Sequence, residues 1–467
     1  MGATLQKRAP QRAFGLGCML VASLWWPVAI AQEPPATETP ESLPDAGHDE
    51  ASLEDSADGS ALGENPVTRF EAQIEFRELM SDGHFDEAAD LGETMLLLTE
   101  EEFGWNSVEA AEANYELAEA QRRAKRHDAA ETTYLRSIEI YRMNEGPFTE
   151  SLIEPTIGLG DNYNDDGQYL NAVSSYNEAR TIQRRVYGLL SERQIELFDR
   201  MSESFEQMGN HTEANQQQES ALLLVERNNS PDSIEVLEAI YKYARWLRST
   251  FRFTEERLQY DRAIRIIRES YGKDSPLLVT PYREIGNSFR SQAYPENRGI
   301  GSINTAIELL ELQGEPDPLE YARTYLSLGD WRTAFGTVDT GGEEYLRSWE
   351  LLAKVEDGDE WRTQWFGSRR PVFVLTRYIS DRGLSREPGA TSGSVLVRFD
   401  IDALGRAQNV SVVESDPPGF KDDAAVRAIL QSRFRPHIDD GALVAAQNLG
   451  VEFSFRYLQE DANEETE

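Results

Sequence analysis

Between residues 71 and 352 apolar and small residues recur at helical spacing, and the pattern itself repeats. In the stretch from Thr156 to Ala179, Leu159, Gly160 and Tyr163 lie at i, i+1 and i+4 of one helix. Gly167 and Tyr169 mark a tight turn, and Ala172, Tyr176 and Ala179 fall at i, i+4 and i+7 of a second helix. A helical hairpin needs small residues where its helices cross closely, and aromatics that wedge between neighbours. The position of Gly160 is refilled at Phe76, Ala118, Ser202, Ala244, Gly286 and Gly329, at intervals of 42 residues five times and then 43. Ala88, Ala130, Ala214 and Glu256 take the Ala172 position; Tyr134, Tyr260 and Tyr345 take that of Tyr176. The Ala179 position returns as Met95, Ser137, Ala221, Ala263, Thr305 and Ser348, and the sixth unit puts Arg298 or Gly299 in its alanine slot. Gly104, Gly146, Gly188, Gly272 and Gly314 hold one register and suit the left-handed residue past a helix end. The period predicts about seven helical hairpins stacked as an α-solenoid.

From Pro371 the period changes from helical to alternating. Val395, Val397, Phe399 and Ile401 alternate with Leu396, Arg398, Asp400 and Asp402, as in a half-buried strand. The run Asp402–Gly405 reads as a hairpin turn, and Val410, Val412 and Val413 carry the return strand until Asp416-Pro417-Pro418-Gly419 ends it. Phe420, Ala424, Ala425, Ala428 and Ile429 form the apolar face of a short helix that ends at Arg433-Phe434-Arg435-Pro436. After a turn at Gly441 the last strand turns Val451, Phe453, Phe455 and Tyr457 to one side and Glu452, Ser454 and Arg456 to the other. The expected fold is mainly α, a solenoid followed by a small α+β domain with an antiparallel sheet in the order strand, strand, helix, strand. Trp361, Trp365 and Phe366 lie between the two and are expected to pack on the last helix or to bridge to the sheet domain.

Charge narrows the partners. With 83 acidic against 46 basic residues the net charge is −37, which argues against nucleic acid and anionic lipid as ligands. The single cysteine, Cys18, makes no internal disulfide. Lys7, Arg8 and Arg12 precede the uncharged run from Ala13 to Ala31, which ends in a small-x-small site, Ala29-Ile30-Ala31. Residues 1–31 read as a signal peptide, with a retained anchor over residues 13–31 as the alternative and membrane contact only in that case. Residues 32–69 read as a disordered acidic linker, because the run from Gln32 to Pro66 has ten acidic residues, no lysine or arginine and no apolar period. The repeat solenoid is expected over 70–355, the sheet domain over 371–458 and an acidic tail over 459–467.

Catalytic and metal chemistry find no purchase. There is no phosphate-cradling glycine loop, nucleophile elbow or His-Glu-x-x-His. His127 and His211 share the turn slot that Tyr169 and Phe253 fill, His84 sits beside it, and His48 and His437 are isolated. The chain is therefore read as a non-enzyme with no cofactor and no metal site.

The repeats resemble the tetratricopeptide repeat in the 42-residue form of kinesin light chains, carried best by Leu159-Gly160, Tyr163, Gly167, Tyr169, Ala172, Tyr176 and Ala179. The resemblance implies a protein-binding scaffold in which first helices line a concave groove. That register puts Glu196, Asp199, Glu203 and Glu206 on the groove wall of unit four. It puts Tyr241, Arg245 and Arg248 on the wall of unit five, and Arg283, Asn287 and Arg290 on that of unit six. Lys242–Arg268 carries eight basic and three acidic residues, so these arginines are expected either to clamp an acidic ligand or to pair with the preceding acidic unit or the acidic linker. The terminal unit looks like the TonB C-terminal domain, carried by Gly393-Ser394-Val395, Asp402–Arg406, Ala424-Ala425, Arg433-Phe434-Arg435-Pro436 and Val451–Phe455. That resemblance implies a periplasmic domain that binds an extended segment of outer-membrane transporters or other envelope proteins. The expected partner site is the edge strand Val451, Glu452, Phe453, Ser454, Phe455 and Arg456. Two readings follow: a periplasmic interaction scaffold, or an energy transducer held in the inner membrane.

Overall fold

The structure is a computed structural model that describes residues 68–336, 341–367, 371–373 and 390–458. The proposed signal peptide, nearly all of the linker, and the acidic tail lie outside the described residues, as does His48. The chain divides into two compact bodies, one within residues 22–186 and one containing everything from Tyr187 onward.

The first body holds three helical hairpins: α1 (Arg69–Asp82) with α2 (Phe85–Phe103), α3 (Val108–Arg123) with α4 (His127–Glu145), and α5 (Ile153–Asp165) with α6 (Tyr169–Val186). Thr68 starts the array with a capping box: its hydroxyl accepts from the Glu71 amide, and the Glu71 carboxylate accepts from the Thr68 amide at 3.0 Å. Small residues sit where the sequence places them. A Cβ on Gly160 would lie 2.5 Å from the Tyr176 ring, so only glycine lets that ring close the hairpin.

The second body continues with α7 (Gln194–Gln207), α8 (His211–Asn228), α9 (Leu237–Ser249), α10 (Phe253–Tyr271), α11 (Val279–Ser291), α12 (Asn297–Glu311), α13 (Pro318–Phe335) and α14 (Gly342–Leu352). Gly329 repeats the Gly160 contact against Tyr345, its Cβ position lying 2.7 Å from the ring. The sixth hairpin departs from the expected register. Gly286 faces Ile303, and Ala306 is buried while Thr305 bonds the Gly301 carbonyl. One extra residue in the turn before α12 shifts that helix, which accounts for the single 43-residue interval and makes Gly299, not Arg298, the buried residue of the alanine slot. Gly104, Gly146, Gly188 and Gly272 take positive φ past their helices; Gly314 does not, because α12 ends earlier, at Glu311.

The turn inside each of the first six hairpins also repeats. Gly83, Lys125, Gly167, Gly209, Phe251 and Ala293 stand 42 residues apart and all have positive φ, from 56° to 81°. Half of them are not glycine, so composition hides the turn.

After α15 (Gly358–Phe366) come β1 (Pro371–Phe373), β2 (Thr391–Ile401), β3 (Ala407–Asp416), α16 (Asp422–Gln431), β4 (Arg433–Phe434), β5 (His437–Asp439), β6 (Ala442–Val444) and β7 (Ala446–Tyr457). The main sheet is antiparallel in the order β3-β2-β7. Val395, Val397, Phe399 and Ile401 of β2 bury against Ala425, Ala428 and Ile429 of α16 and Phe455 and Tyr457 of β7. Each large side chain so buried contributes roughly 1.5–3 kcal/mol. Asp402 shapes the β2–β3 turn by accepting from the amides of Leu404 and Arg406, both at 2.9 Å, and Gly405 takes φ +80°. The expected strand, strand, helix, strand order holds for this sheet, and two short pairs, β1-β4 and β5-β6, are added to it. Pro436, which has no amide donor, separates β4 from β5.

Candidate interaction surfaces

Among the described residues β7 pairs only with β2, which makes it an edge of the main sheet. Its pleat sorts the side chains as the alternation implies. Phe455 and Tyr457 are buried and Val451 and Phe453 partly so, while Glu452 and Ser454 are exposed. Arg456 is half-buried and donates to the Ala390 carbonyl. An edge strand offers a row of amides and carbonyls to a further chain. Glu452 and Ser454 guard β7 lightly.

The residues expected on the groove wall of hairpins five and six lie in a ladder of charge pairs. Arg248 donates to Glu256 at 2.6 Å and to Glu284 at 2.8 Å. Arg283, itself buried, reaches Glu284 at 3.3 Å and Glu320 at 2.5 Å. Asn287 donates to Glu284 at 3.3 Å, and Tyr241 lies against Tyr260 with ring centroids 6.0 Å apart. Burial would raise the Glu284 carboxyl, but Arg248 and Arg283 outweigh it and hold Glu284 at about 2. Arg245 is exposed and pairs with the exposed Glu238 at 2.9 Å, a pairing of little energetic weight. Arg248 and Arg283 are thus balanced by carboxylates on α10, α11 and α13, not by the preceding acidic unit, which supplies Asp199 to Lys242.

A third constellation, also missed at the level of sequence, joins the sheet domain to the last hairpin. Arg435 Nη2 meets Asp330 Oδ2 at 2.8 Å and its Nε meets Oδ1 at 3.1 Å, with Asp330 buried and Arg435 largely so. Tyr345 donates its hydroxyl to Asp330 at 3.0 Å, and Arg290 Nη2 lies 3.8 Å away. Burial would raise the Asp330 carboxyl, but Arg435 and then Arg290 hold it below its ordinary value. Arg290 Nη1 donates to the Val372 carbonyl at 3.0 Å. His437 Nδ1 sits 2.7 Å from the Phe366 carbonyl, and Ile438 packs with Tyr345, Leu352, Trp365 and Phe366. The Trp361–Phe366 segment therefore both packs on α14 and meets the sheet domain. One signal was available in the sequence: Arg435 belongs to the string Arg433–Pro436, and Asp330 follows Gly329 as Asp161 follows Gly160 and Glu119 follows Ala118.

The histidines take structural places. His127 begins α4 and its Nδ1 lies 2.9 Å from Asn162 Oδ1; His211 begins α8; His84 precedes α2. Among the described residues no group of three or more His, Cys, Asp and Glu side chains is placed to hold a metal.

Residues 389–457 match the family model of the Gram-negative bacterial TonB protein C-terminal domain, and residues 237–277 match a tetratricopeptide repeat model. No curated protein matches the chain. Among solved structures, a kinesin light chain from Podosopora anserina with TPR-like repeats is 15% identical, covering 45% of this chain and 100% of its own, with a TM-score of 0.36. BtubC from P. vanneervenii is 16% identical over 51% of this chain and 91% of its own, with a TM-score of 0.33. The C-terminal part of a TPR repeat-containing protein from Cytophaga hutchinsonii is 11% identical over 61% of this chain and 95% of its own, with a TM-score of 0.38. Repeats of the matched kind suggest protein–protein interaction, and the matched terminal domain suggests a role in the cell envelope. The chain joins a tetratricopeptide-type solenoid to a terminal domain of the TonB C-terminal type.

Proposed function

We propose that this protein is a periplasmic, non-catalytic interaction scaffold whose terminal domain binds an extended segment of an envelope protein by strand addition at β7. The observation that carries the reading is the edge position of β7, with Glu452 and Ser454 exposed on its outer face. Backbone hydrogen bonds supply affinity in this mode, and alternate side chains supply choice. The repeat array holds a second partner along hairpins five and six, where Tyr241, Arg245 and Asn287 are the contact positions and Arg248, Arg283 and Arg290 the charged framework. Export rests on the basic flank and apolar run of residues 7–31; no helix among the described residues is long and apolar enough to cross a membrane.

The test of strand addition uses a synthetic decapeptide of alternating valine and threonine. Outward amides of β7 should exchange quickly in the free protein and become protected when the peptide is present. If the Ser454 amide points away from β2, Ser454→Pro removes an outward backbone donor and leaves the inward side chains in place, so it should lower peptide affinity at least tenfold with the sheet still folded. Full binding by a folded Ser454→Pro protein would falsify the edge-strand mechanism.

A further inference from the structure

The end of the array is filled by the chain itself. Arg290 lies four residues beyond Gly286 and Asp330 one residue beyond Gly329, both on first helices, α11 and α13. Within the repeats the two lie 3.8 Å apart and Asp330 also accepts from Tyr345, and residues outside the repeats supply the remaining partners of both. The backbone carbonyl of Val372, in a strand of three residues, takes the Arg290 donor at 3.0 Å, and β1 packs on α13 with Val372 buried. The guanidinium of Arg435 takes both oxygens of Asp330 and also donates to the Trp365 carbonyl at 3.0 Å.

Asp330 is a feature of the repeat, not one made for the terminal domain. The same tyrosine-to-carboxylate hydrogen bond joins Tyr134 to Glu119 and Tyr176 to Asp161, in the register that joins Tyr345 to Asp330. The occupant is what differs at the last hairpin. It presents an extended backbone, an apolar side chain and an arginine, the three elements by which a peptide engages a polar wall.

We propose that β1 and Arg435 are an intramolecular occupant of a peptide site on hairpins six and seven, and that undocking of the terminal domain opens this site to an extended partner segment carrying an arginine. The inference rests on reading the array as a binding scaffold. Arg290 recognises a backbone carbonyl of the ligand and Asp330 its guanidinium. Binding of such a segment and docking of the terminal domain exclude each other, so a partner's affinity is set by how firmly the domain is held.

The test measures fluorescence anisotropy of a labelled peptide with this chain's own sequence from Ser432 to Ile438, titrated with the full chain. Arg435→Gln should bind it at least tenfold more tightly than the unsubstituted protein, and adding Asp330→Asn should abolish the gain. Equal affinity of the unsubstituted and Arg435→Gln proteins overturns the proposal, as does a double variant that keeps the gain. Arg435→Gln leaves a buried carboxylate without its main partner and risks misfolding, so Arg290→Gln is the second variant. It keeps the Asp330–Arg435 pair and should speed amide exchange at Val372, Phe373, Arg433 and Phe434 at least fivefold. Unchanged exchange refutes β1 as a held occupant. Capture of the valine–threonine peptide by the same variants reads the β7 edge alone, so its failure counts against strand addition and not against this site.

Discussion

Gly160 and Tyr176 are made for each other: a Cβ at residue 160 would sit 2.5 Å from Tyr176 Cε1 and 2.7 Å from Cδ1. Tyr176 is almost fully buried and its hydroxyl donates to Asp161 at 2.8 Å, so the ring is held at both ends. Gly160→Ala should therefore destabilise the third hairpin by about 1–3 kcal/mol through overpacking, despite the better helix propensity of alanine. Adding Tyr176→Leu should recover part of that loss. Thermal unfolding of the three proteins checks both statements, and a neutral Gly160→Ala contradicts the close packing.

The left-handed turn residues offer the opposite change. Lys125 and Phe251 hold φ of 60°, where a side chain is strained and glycine is not. Lys125→Gly should stabilise the second hairpin by up to about 1 kcal/mol, since relief of strain exceeds the entropy that glycine adds to the unfolded chain. Phe251→Gly should gain less, because the Phe251 ring meets Phe253 edge-on at 6.1 Å. Urea midpoints at constant m-value are the measurement.

The charge ladder predicts acid sensitivity. Glu284 is held at about 2, below its ordinary 4.5, so the unfolded chain binds its proton first as pH falls. The stabilisation is present in full above about pH 4.5 and is lost as pH drops towards 2. Its size at neutral pH is at most about 3 kcal/mol. Glu284→Gln should flatten the difference in stability between pH 5 and pH 2 relative to the unsubstituted protein, and equal slopes of denaturant midpoint against pH would contradict the pairing with Arg248 and Arg283.

The Asp330–Arg435 pair should behave as a buried ion pair. Asp330→Asn and Arg435→Gln should each cost about 3–5 kcal/mol, because each strands a buried charge. The double variant should cost less than the sum of the two, with a coupling of about 1–3 kcal/mol. Strict additivity in calorimetric unfolding would show that the two residues do not meet.

The hairpins were legible in the sequence because each one buries its apolar face against its own neighbours, so the same small and aromatic residues return every 42 positions. The β2 and β7 strands were legible for a similar reason: one face of the sheet is buried, and alternation records it at Val395–Ile401 and Val451–Tyr457. Tertiary structure alone decided the rest. Lys125, Phe251 and Ala293 occupy a left-handed turn because the helices on either side impose it, not because their side chains prefer it. The arginines of hairpins five and six read as a basic wall in one dimension, yet Arg248 pairs with Glu284, 36 residues away, and Arg283 with Glu320, 37 residues away. Arg435 and Asp330 are 105 residues apart, and the local pattern that marks each of them does not tell that they meet. Burial and backbone period are properties of a segment and leave their mark on it. The partner of a charge is set by which surfaces meet, and that only the folded chain determines.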